Sequence, residues 1–222
     1  MLASAEYYDK LSKIRSLLEE KKIPDKYPPE VSEYFLSHYI DQNISRTAFI
    51  SLSSFALISK AWLKPLTEYI GKRKCLEIMA GSGMLSKGLS DFGVGIIATD
   101  DFSWKWDRGE ENEESTLEAD NLWCHIENLD CEAAIEKYGA GVGYIICCWP
   151  PMDESMCKAL LKMRKVNPEC NLIYIGEGPS GCNADDSFFE YATYIKGEAA
   201  FRRAADNFQR WHGIHDRLCL IS

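Results

Sequence analysis

A glycine-rich turn follows the first strongly apolar strand of the chain and has an acid beside it. The stretch reads Leu76-Glu77-Ile78-Met79-Ala80-Gly81-Ser82-Gly83, and a helix is predicted to follow it. Such a turn lets main-chain amides approach a small ligand closely. The dinucleotide fingerprint Gly-x-Gly-x-x-Gly/Ala is broken, because Ser86 occupies its last position. Glu77 disfavours an anionic phosphate here, but it suits a ligand that carries positive charge.

Two further acids end the next predicted strand. Asp100 and Asp101 follow the apolar stretch 94–99. A carboxylate at this place can accept hydrogen bonds from ribose hydroxyls more strongly than a neutral acceptor can. We predict this role for Asp100, with Asp101 as a near substitute. A nucleoside that also carries positive charge then fits the turn, and the sulfonium and ammonium of S-adenosylmethionine supply that charge.

Turn-forming stretches also follow two later strands. Trp149-Pro150-Pro151-Met152 comes after the apolar stretch 144–148, and Gly176-Glu177-Gly178 comes after 171–175. The carboxyl ends of parallel strands meet at one edge of a sheet, where ligands bind. All these features therefore predict one site. Glu177 is our favoured substrate-contacting group and candidate base. The alternative bases are Asp153, Asp216, His212 and His215.

The elements that position these residues predict an α/β sheet covered on both faces. Strand, glycine turn, helix and strand over 75–100 form a βαβ unit with parallel strands, and strands alternate with helices onward from there. Residues 1–70 are predicted to be helical, with one apolar stripe formed by Tyr7, Leu11, Ile14 and Leu18. We therefore expect an N-terminal helical cap over 1–70 and a sheet domain over 71–222.

The other predicted elements are seven helices, two strands and one long loop. Helices are expected over 30–39, 45–57, 59–70, 84–89, 130–138, 155–166 and 187–194, a third short strand over 124–126 and a terminal strand over 218–221. The acidic stretch 102–120, with Trp104 and Trp106 near its start, is predicted to be a long loop of the kind that covers functional sites.

The charge of the chain argues against several kinds of partner. The 222 residues include 25 Lys and Arg against 34 Asp and Glu, a net charge of -9. Nucleic acid and anionic membranes bind clustered cations, so neither is an expected partner, although a local basic groove stays open. No apolar run approaches the roughly 20 residues that span a bilayer.

The nine cysteines predict core packing more than chemistry. They include no Cys-x-x-Cys pair, so we expect no metal site and mostly reduced, buried thiols. The start of the chain shows no basic-then-apolar signal peptide. A reducing, cytoplasmic location is the simplest interpretation.

Several of these stretches together resemble a known family. Leu76 to Gly83 is similar to motif I of the class I, Rossmann-like methyltransferases that use S-adenosylmethionine, and Cys148-Trp149-Pro150-Pro151-Met152 sits where many of them carry motif IV. More narrowly, the chain resembles a group of small methyltransferase-like proteins with a Trp-Pro-Pro strand end. The loop Ile175 to Asn183 and the stretch Trp211 to Leu218 belong to that resemblance, which covers about residues 70 to 222.

The resemblance implies a seven-stranded, mostly parallel sheet and an S-adenosylmethionine site. Asp100 or Asp101 would hold the ribose, and Asp130 would lie near the adenine. Cys148 would face the cofactor, and Trp149 and Pro150 would face the methyl group that is transferred. The turn residues that would line the methionine and ribose are Glu77, Ala80, Gly81, Ser82 and Gly83.

Two departures from the family pattern narrow the class of methyl acceptor. Trp149 stands where methyltransferases of nucleobase amines carry Asp, Asn or Ser, and Met152 replaces their aromatic residue. We therefore predict methyl transfer to a small molecule or a protein rather than to nucleic acid. The main alternative is a non-catalytic protein of this fold that binds a nucleoside or a protein partner. A nicotinamide-dependent oxidoreductase is a weaker alternative, because Ser86 and Glu77 oppose it.

Overall fold

The computed structural model describes residues 5–33, 45–103 and 121–222. The predicted loop tryptophans Trp104 and Trp106, most of the acidic stretch 102–120 and most of the predicted helix 30–39 lie outside these residues. The helices are α1 (Ala5–Glu19), α2 (Arg46–Leu52), α3 (Lys60–Ile70), α4 (Met84–Asp91), α5 (Cys131–Tyr138), α6 (Ser155–Val166), α7 (Asp186–Tyr191) and α8 (Ala199–Asn207). The strands are β1 (Cys75–Glu77), β2 (Ile96–Asp100), β3 (Glu127–Asn128), β4 (Tyr144–Cys148), β5 (Asn171–Gly176) and β6 (Arg217–Ile221).

The described strands form one sheet in the order β3-β2-β1-β4-β5-β6. The first five are parallel, and β6 is antiparallel to β5. The chain runs outward from β1 to β3 and then returns to β4 on the other side of β1, so the strand order reverses between β1 and β4. This is a Rossmann-like α/β fold with its switch point at the carboxyl ends of these two strands, where such folds bind ligands.

The prediction of seven strands is wrong, because the described sheet has six. The seventh position is reduced to a single bridge between Tyr194 and Ile221, on the free side of β6. Two further hydrogen bonds support it, from Ile195 N to the Leu220 carbonyl (2.9 Å) and from Ser222 N to the Thr193 carbonyl (3.0 Å). The segment between α7 and α8, residues 192–198, thus contributes a bridge rather than a strand.

Side chains on the two faces of the sheet enter two different cores. Tyr144 and Ile146 of β4 pack with the N-terminal helices, α3, α4 and α8, whereas Ile145 and Cys147 pack with α5, α6 and α7. This alternation follows from the two-residue period of a strand. It accounts for the nearly continuous apolar sequence of a strand that is buried on both sides, and it confirms that helices cover both faces.

The predicted apolar stripe of α1 is buried in the same core as one face of the sheet. Tyr7, Leu11, Ile14 and Leu18 are all less than a tenth exposed. Residues on both sides of position 70 share this core, so the division into a cap over 1–70 and a sheet domain over 71–222 stays a prediction. In the part of the chain that the structure describes, no helix is long and apolar enough to cross a membrane.

Several element bounds differ from the predictions. The third strand is Glu127–Asn128 rather than 124–126, and α8 was not predicted. Helix α2 ends at Leu52 rather than at residue 57. The Ser53 hydroxyl there donates to the Phe49 carbonyl (2.5 Å), a local bond that competes with the helical pattern. Residues 29–32 form a 3-10 turn rather than the start of a regular helix.

Candidate functional site

Glu77 lies buried at the carboxyl end of β1. Its side-chain oxygen Oε2 accepts hydrogen bonds from Ser86 N (3.0 Å) and from the Ser86 hydroxyl in the first turns of α4. No ion pair among the described residues involves Glu77. Burial raises the pKa of Glu77 to about 7, the bonds from Ser86 oppose that rise, and the negative charge of Asp100 adds to it. The site therefore holds a carboxyl group whose charge a cation would stabilise.

Asp100 and Asp101 differ sharply in their surroundings. Asp100 is buried, its Oδ2 accepts from Gly81 N (2.8 Å), and its Oδ1 accepts from Phe102 N (2.7 Å). It thereby fastens the turn after β1 to the turn after β2. Asp101 is exposed, and its Oδ1 accepts from Ser103 N (2.8 Å). The acid with an open side chain at this edge is therefore Asp101.

The glycine turn is held in shape by its own main chain and by a neighbouring segment. Ala80 N donates to the Thr99 carbonyl (3.0 Å), and Gly83 N donates to the Ala80 carbonyl (2.9 Å). Gly81 and Gly83 both have positive φ angles, 57° and 75°. A Cβ at Gly83 would meet Cys124 Sγ at 2.7 Å, so Gly83 is required both by its backbone conformation and by a close approach.

Replacement of Gly83 by alanine is expected to destabilise the protein by more than the same change at Gly213. Both glycines have nearly equal φ angles, 75° and 76°, but a Cβ at Gly213 would meet nothing within 4 Å. The Gly213 variant therefore measures the backbone strain alone, about 1–2 kcal/mol. Gly83→Ala adds the clash with Cys124, and urea denaturation should show a larger loss that Cys124→Ala partly restores. Equal losses at the two glycines would contradict this account.

Ser82 connects the turn to the segment that follows α2. Its hydroxyl donates to the Ser53 carbonyl. The same segment receives hydrogen bonds from Trp123 Nε1 to the Leu52 carbonyl (2.9 Å) and from Asn121 Nδ2 to the Ser51 carbonyl (3.1 Å). The main chain over 51–53 therefore borders the glycine turn. Sequence reasoning did not find these contacts, since they join residues that lie far apart in the chain.

Trp149 leaves β4 in a left-handed conformation, with a φ of 58°. Its indole ring stacks on Phe55, with centroids 5.5 Å apart and planes 14° apart. The guanidinium carbon of Arg46 lies 5.5 Å from the same ring, a cation–π contact. Cys148, the residue before Trp149, packs against the core that the N-terminal helices share with one face of the sheet. Burial raises the pKa of its thiol well above the usual range.

Pro150 and Pro151 are fixed through their carbonyl groups. Pro150 O accepts from Asn183 Nδ2 (3.2 Å), and Pro151 O accepts from Ala184 N (3.0 Å). Met152 is 70% exposed, so it does not line a buried site. These two hydrogen bonds hold the main chain that follows Trp149 in place.

Asp216 lies against Trp149 and is 1% exposed. Its Oδ2 accepts from Trp149 Nε1 (3.0 Å), whereas its Oδ1 is buried and has no hydrogen-bond partner among the residues that the structure describes. Burial raises the pKa of Asp216 to about 6, and the charge of Glu177 adds to the rise, while Trp149, Arg46 and Arg210 oppose it. This carboxyl group thus titrates in a range that suits proton transfer.

Glu177 is also buried, but both of its carboxylate oxygens are engaged. Oε1 accepts from His215 N (2.8 Å), and Oε2 accepts from Cys182 N (2.9 Å). Burial alone would raise its pKa, but these amide bonds outweigh burial and the pKa of Glu177 is lowered. Its carboxylate holds the β5 loop against the segment before β6, and its low pKa makes it a weak base.

The other predicted side chains lie apart from this cluster or are otherwise engaged. Asp130 caps α5 by accepting from Ala133 N (2.8 Å), and Asp153 accepts from Ser155 N (2.8 Å). His212 is exposed beside the Ser32 carbonyl (3.2 Å), and the His215 side chain is exposed as well. None of these four has a described contact with Glu77, Trp149 or Asp216 through its side chain.

The cysteines include buried and exposed members, and all nine are free thiols. Burial raises the pKa of Cys147 well above its usual range, which makes it a poor nucleophile. Cys182 is exposed, contrary to the general expectation of burial. Within residues 5–33, 45–103 and 121–222, no three His, Cys, Asp or Glu residues are placed to hold a metal ion.

Backbone strain gathers at the same edge of the sheet. Met79, Phe102 and Trp149 have φ angles of 51°, 56° and 58°, and each follows a strand by one or two residues. A side chain in this conformation costs on the order of 1–3 kcal/mol, and such residues cluster at functional sites. The strained positions follow β1, β2 and β4, which are the strands around the switch point.

Arg46 is the site residue that sequence reasoning missed. It is the only charged residue between Asp41 and Lys60, and that isolation in an otherwise uncharged stretch is the signal that could have identified it. Its guanidinium reaches Trp149 from a helix that lies about a hundred residues earlier in the chain. Long-range contacts of this kind leave no periodic trace in the sequence.

Comparison with known proteins gives structural similarity alone. No model of a known protein family matches the chain, and no curated protein matches its sequence. Among solved structures, the chain is similar to magnesium protoporphyrin IX methyltransferase from Synechocystis PCC 6803, with 11% identity, coverage of 100% of this chain and 99% of that one, and a TM-score of 0.42. It is also similar to human N-acetylserotonin methyltransferase (10% identity, coverage of 96% and 66%, TM-score 0.42) and to mitomycin 7-O-methyltransferase (13%, coverage of 98% and 68%, TM-score 0.40).

Proposed function

We propose that this protein binds S-adenosylmethionine at the carboxyl ends of β1 and β2 and transfers its methyl group to a small molecule or a protein. The observation that carries the proposal is Glu77, a buried acid with no ion-pair partner among the described residues, beside a glycine turn. Burial disfavours its ionised form, and the negative charge of Asp100 adds to this effect. A ligand that brings positive charge relieves this cost, whereas a nucleotide phosphate increases it.

The residues at this edge fit such a cofactor. The turn Ala80, Gly81, Ser82 and Gly83 would border its methionine part, and Asp130 at the end of β3 would lie toward the adenine. We assign the ribose to Asp101 rather than Asp100, because both oxygens of Asp100 already accept main-chain amides. S-adenosylmethionine supplies, when bound, a methyl group activated by the positively charged sulfur. The protein's task is then to align the acceptor and to exclude water.

Calorimetry with S-adenosylmethionine and S-adenosylhomocysteine tests the proposal. We expect saturable binding, and no binding at high micromolar cofactor to folded protein would overturn it. Nicotinamide cofactors serve as the comparison for an oxidoreductase and are expected not to bind.

Asp101→Asn is expected to weaken cofactor binding by about tenfold, because it removes the charge from the hydrogen bonds to the ribose. Asp185→Asn is the matched control. Asp185 also accepts main-chain and side-chain donors close to it in the chain, at the start of α7, but it lies away from β1 and β2. Equal affinity of Asp101→Asn and the wild type in calorimetry would remove Asp101 from the site.

A second candidate is a protein of this fold that binds the cofactor without turnover. The observation that favours it is the engagement of Glu177, whose two oxygens hold the main chain rather than an acceptor. Cofactor binding combined with no methyl transfer to any component of a metabolite or protein extract, followed with a labelled methyl group, would support this candidate.

A further inference from the structure

The Arg46 guanidinium has one buried edge beside Trp149. Its Nε and Nη2 atoms are both buried, and neither has a hydrogen-bond partner among the described residues. These two nitrogens form one side of the planar group, the fork that matches the two oxygens of a carboxylate. Burial lowers the pKa of Arg46 and the charges of Asp216, Cys182 and Glu177 oppose that effect, but a guanidinium stays charged in proteins.

Asp216 offers the complementary group. Its Oδ1 is buried without a partner in the same part of the structure, while Oδ2 is fixed by the Trp149 indole. The charges of Arg46 and Asp216 act on each other, yet the described residues include no ion pair between them. Both groups contact Trp149, so the indole holds a buried acceptor and a buried donor fork near each other.

Leaving these atoms unsatisfied is costly. A buried polar atom without a partner has lost the hydrogen bonds that water would give it. Buried polar groups in folded proteins are therefore nearly always paired, and exceptions need an explanation. A ligand that accepts from Nε and Nη2 and donates to Oδ1 would satisfy all three atoms together.

We propose that Arg46 and Asp216 bind the methyl acceptor, and that this acceptor is a small molecule with a carboxylate next to a hydroxyl or amino group. This inference rests on the proposed function for the identity of the ligand as an acceptor. The carboxylate lies on the Arg46 fork, and the hydroxyl or amino group donates to Asp216 Oδ1. A phosphate dianion fits less well than a carboxylate, because it would bring a second negative charge beside Glu177 and Asp216.

Asp216 then also serves as the base. The acceptor's oxygen or nitrogen forms a bond to the methyl carbon as the carbon–sulfur bond of the cofactor breaks, and the electron pair of that bond stays on the sulfur. The acceptor's proton passes to Asp216 Oδ1. Trp149 positions this carboxyl group through its Nε1–H.

Nuclear magnetic resonance of the Arg46 Nε–Hε group tests the binding mode. The signal is assigned by its loss in Arg46→Lys, and the probes are acetate, glycolate, glycine and inorganic phosphate. We expect the three carboxylates to shift the signal, with glycolate and glycine binding about tenfold more tightly than acetate because they also reach Asp216. In Asp216→Asn, acetate should still bind and most of that tenfold preference should disappear.

Arg210→Met is the matched control, because exposed Arg210 also acts on the charge of Asp216 but has no part in the fork. It should bind all four probes as the wild type does. The proposal is overturned if the carboxylates leave the Arg46 signal unmoved or if phosphate binds more tightly than they do. It is also overturned if, by the Trp149 Nε1–H signal that both variants keep, Arg210→Met loses as much affinity as Arg46→Lys. Calorimetry with S-adenosylhomocysteine on the same samples reports the proposed function separately, because carboxylate binding without cofactor binding would refute only that function.

Discussion

Glu77→Gln is expected to weaken S-adenosylmethionine binding at pH 8 by at least tenfold while making the free protein more stable. Glutamine keeps a side-chain oxygen that can accept from Ser86, so the turn should keep its shape. It lacks the negative charge that a cationic cofactor would stabilise. A tenfold loss corresponds to about 1.4 kcal/mol, within the range for interactions of charged groups.

The expected gain in stability follows from the pKa of Glu77. Its carboxyl group has a pKa of about 7 in the folded protein and 4.5 as its ordinary value, so the folded state binds more protons between these pH values. The stability of the wild type therefore falls as pH rises through this window, by about 3 kcal/mol in total. The variant has no such loss, so urea denaturation should show equal stabilities near pH 4 and a more stable variant at pH 8.

Cofactor binding and urea denaturation together distinguish the effect of the Glu77 charge from the effect of its hydrogen bonds to Ser86. Ser86→Ala removes the hydroxyl bond to Glu77 but keeps the carboxyl group, whose pKa it raises further. At a pH well above 8, where Glu77 is ionised in both proteins, Ser86→Ala should therefore affect cofactor affinity less than Glu77→Gln does. Cofactor affinity of the wild type should also rise with pH toward 7 more steeply than that of Glu77→Gln, because binding favours the ionised carboxyl group. Wild-type affinity of Glu77→Gln at pH 8 would show that Glu77 is a structural acid only.

The sequence was informative where local pattern decides the structure. Strands β1, β2, β4 and β5 are apolar runs that end at turn residues, and their buried setting on both faces of the sheet explains why they are easy to recognise. The glycine turn could be recognised because its backbone needs positive φ angles at Gly81 and Gly83. Glycine adopts such angles readily, so the requirement is visible in the sequence. These strands and this turn fix the edge at which the candidate site lies.

The sequence was less informative where two neighbouring residues are of the same type and differ only in the direction of their side chains. Asp100 and Asp101 are adjacent acids, and successive side chains of a strand point to opposite sides. Only the structure shows that Asp100 points inward to Gly81 N and that Asp101 is exposed. The Arg46–Trp149–Asp216 cluster is a similar case, because its members come from a helix, a strand end and a loop that only tertiary packing brings together.

Glu177 illustrates how a correct location can accompany a different role. It follows β5 at the predicted edge, but its carboxylate accepts two main-chain amides, from Cys182 and His215. We expect Glu177→Ala to lower the free energy of unfolding by about 2–5 kcal/mol, because two partly buried amides lose their charged acceptor. Glu177→Gln should cost about half as much, since its amide nitrogen faces a donor on one side only. Urea denaturation at neutral pH measures both.

The pH dependence of this effect distinguishes a structural acid from a catalytic base. The pKa of Glu177 is lowered in the folded protein, so its contribution is complete above the ordinary value of 4.5 and is lost as pH falls through the lower folded pKa. The stability difference between wild type and Glu177→Gln should therefore shrink in acid. Glu190→Gln, an exposed acid in the nearby helix α7, is the control and should change stability little at any pH.

Cofactor binding supplies the last distinction. Glu177 lies beyond β4 from the glycine turn, so Glu177→Gln should bind S-adenosylmethionine as the wild type does, while the displaced segment before β6 carries Asp216 away from Trp149. Its effect on methyl transfer should then follow its effect on stability and be partly restored by conditions that stabilise the fold. A Glu177→Gln protein that is fully stable but inactive would instead return Glu177 to the role of base and leave Asp216 as its neighbour.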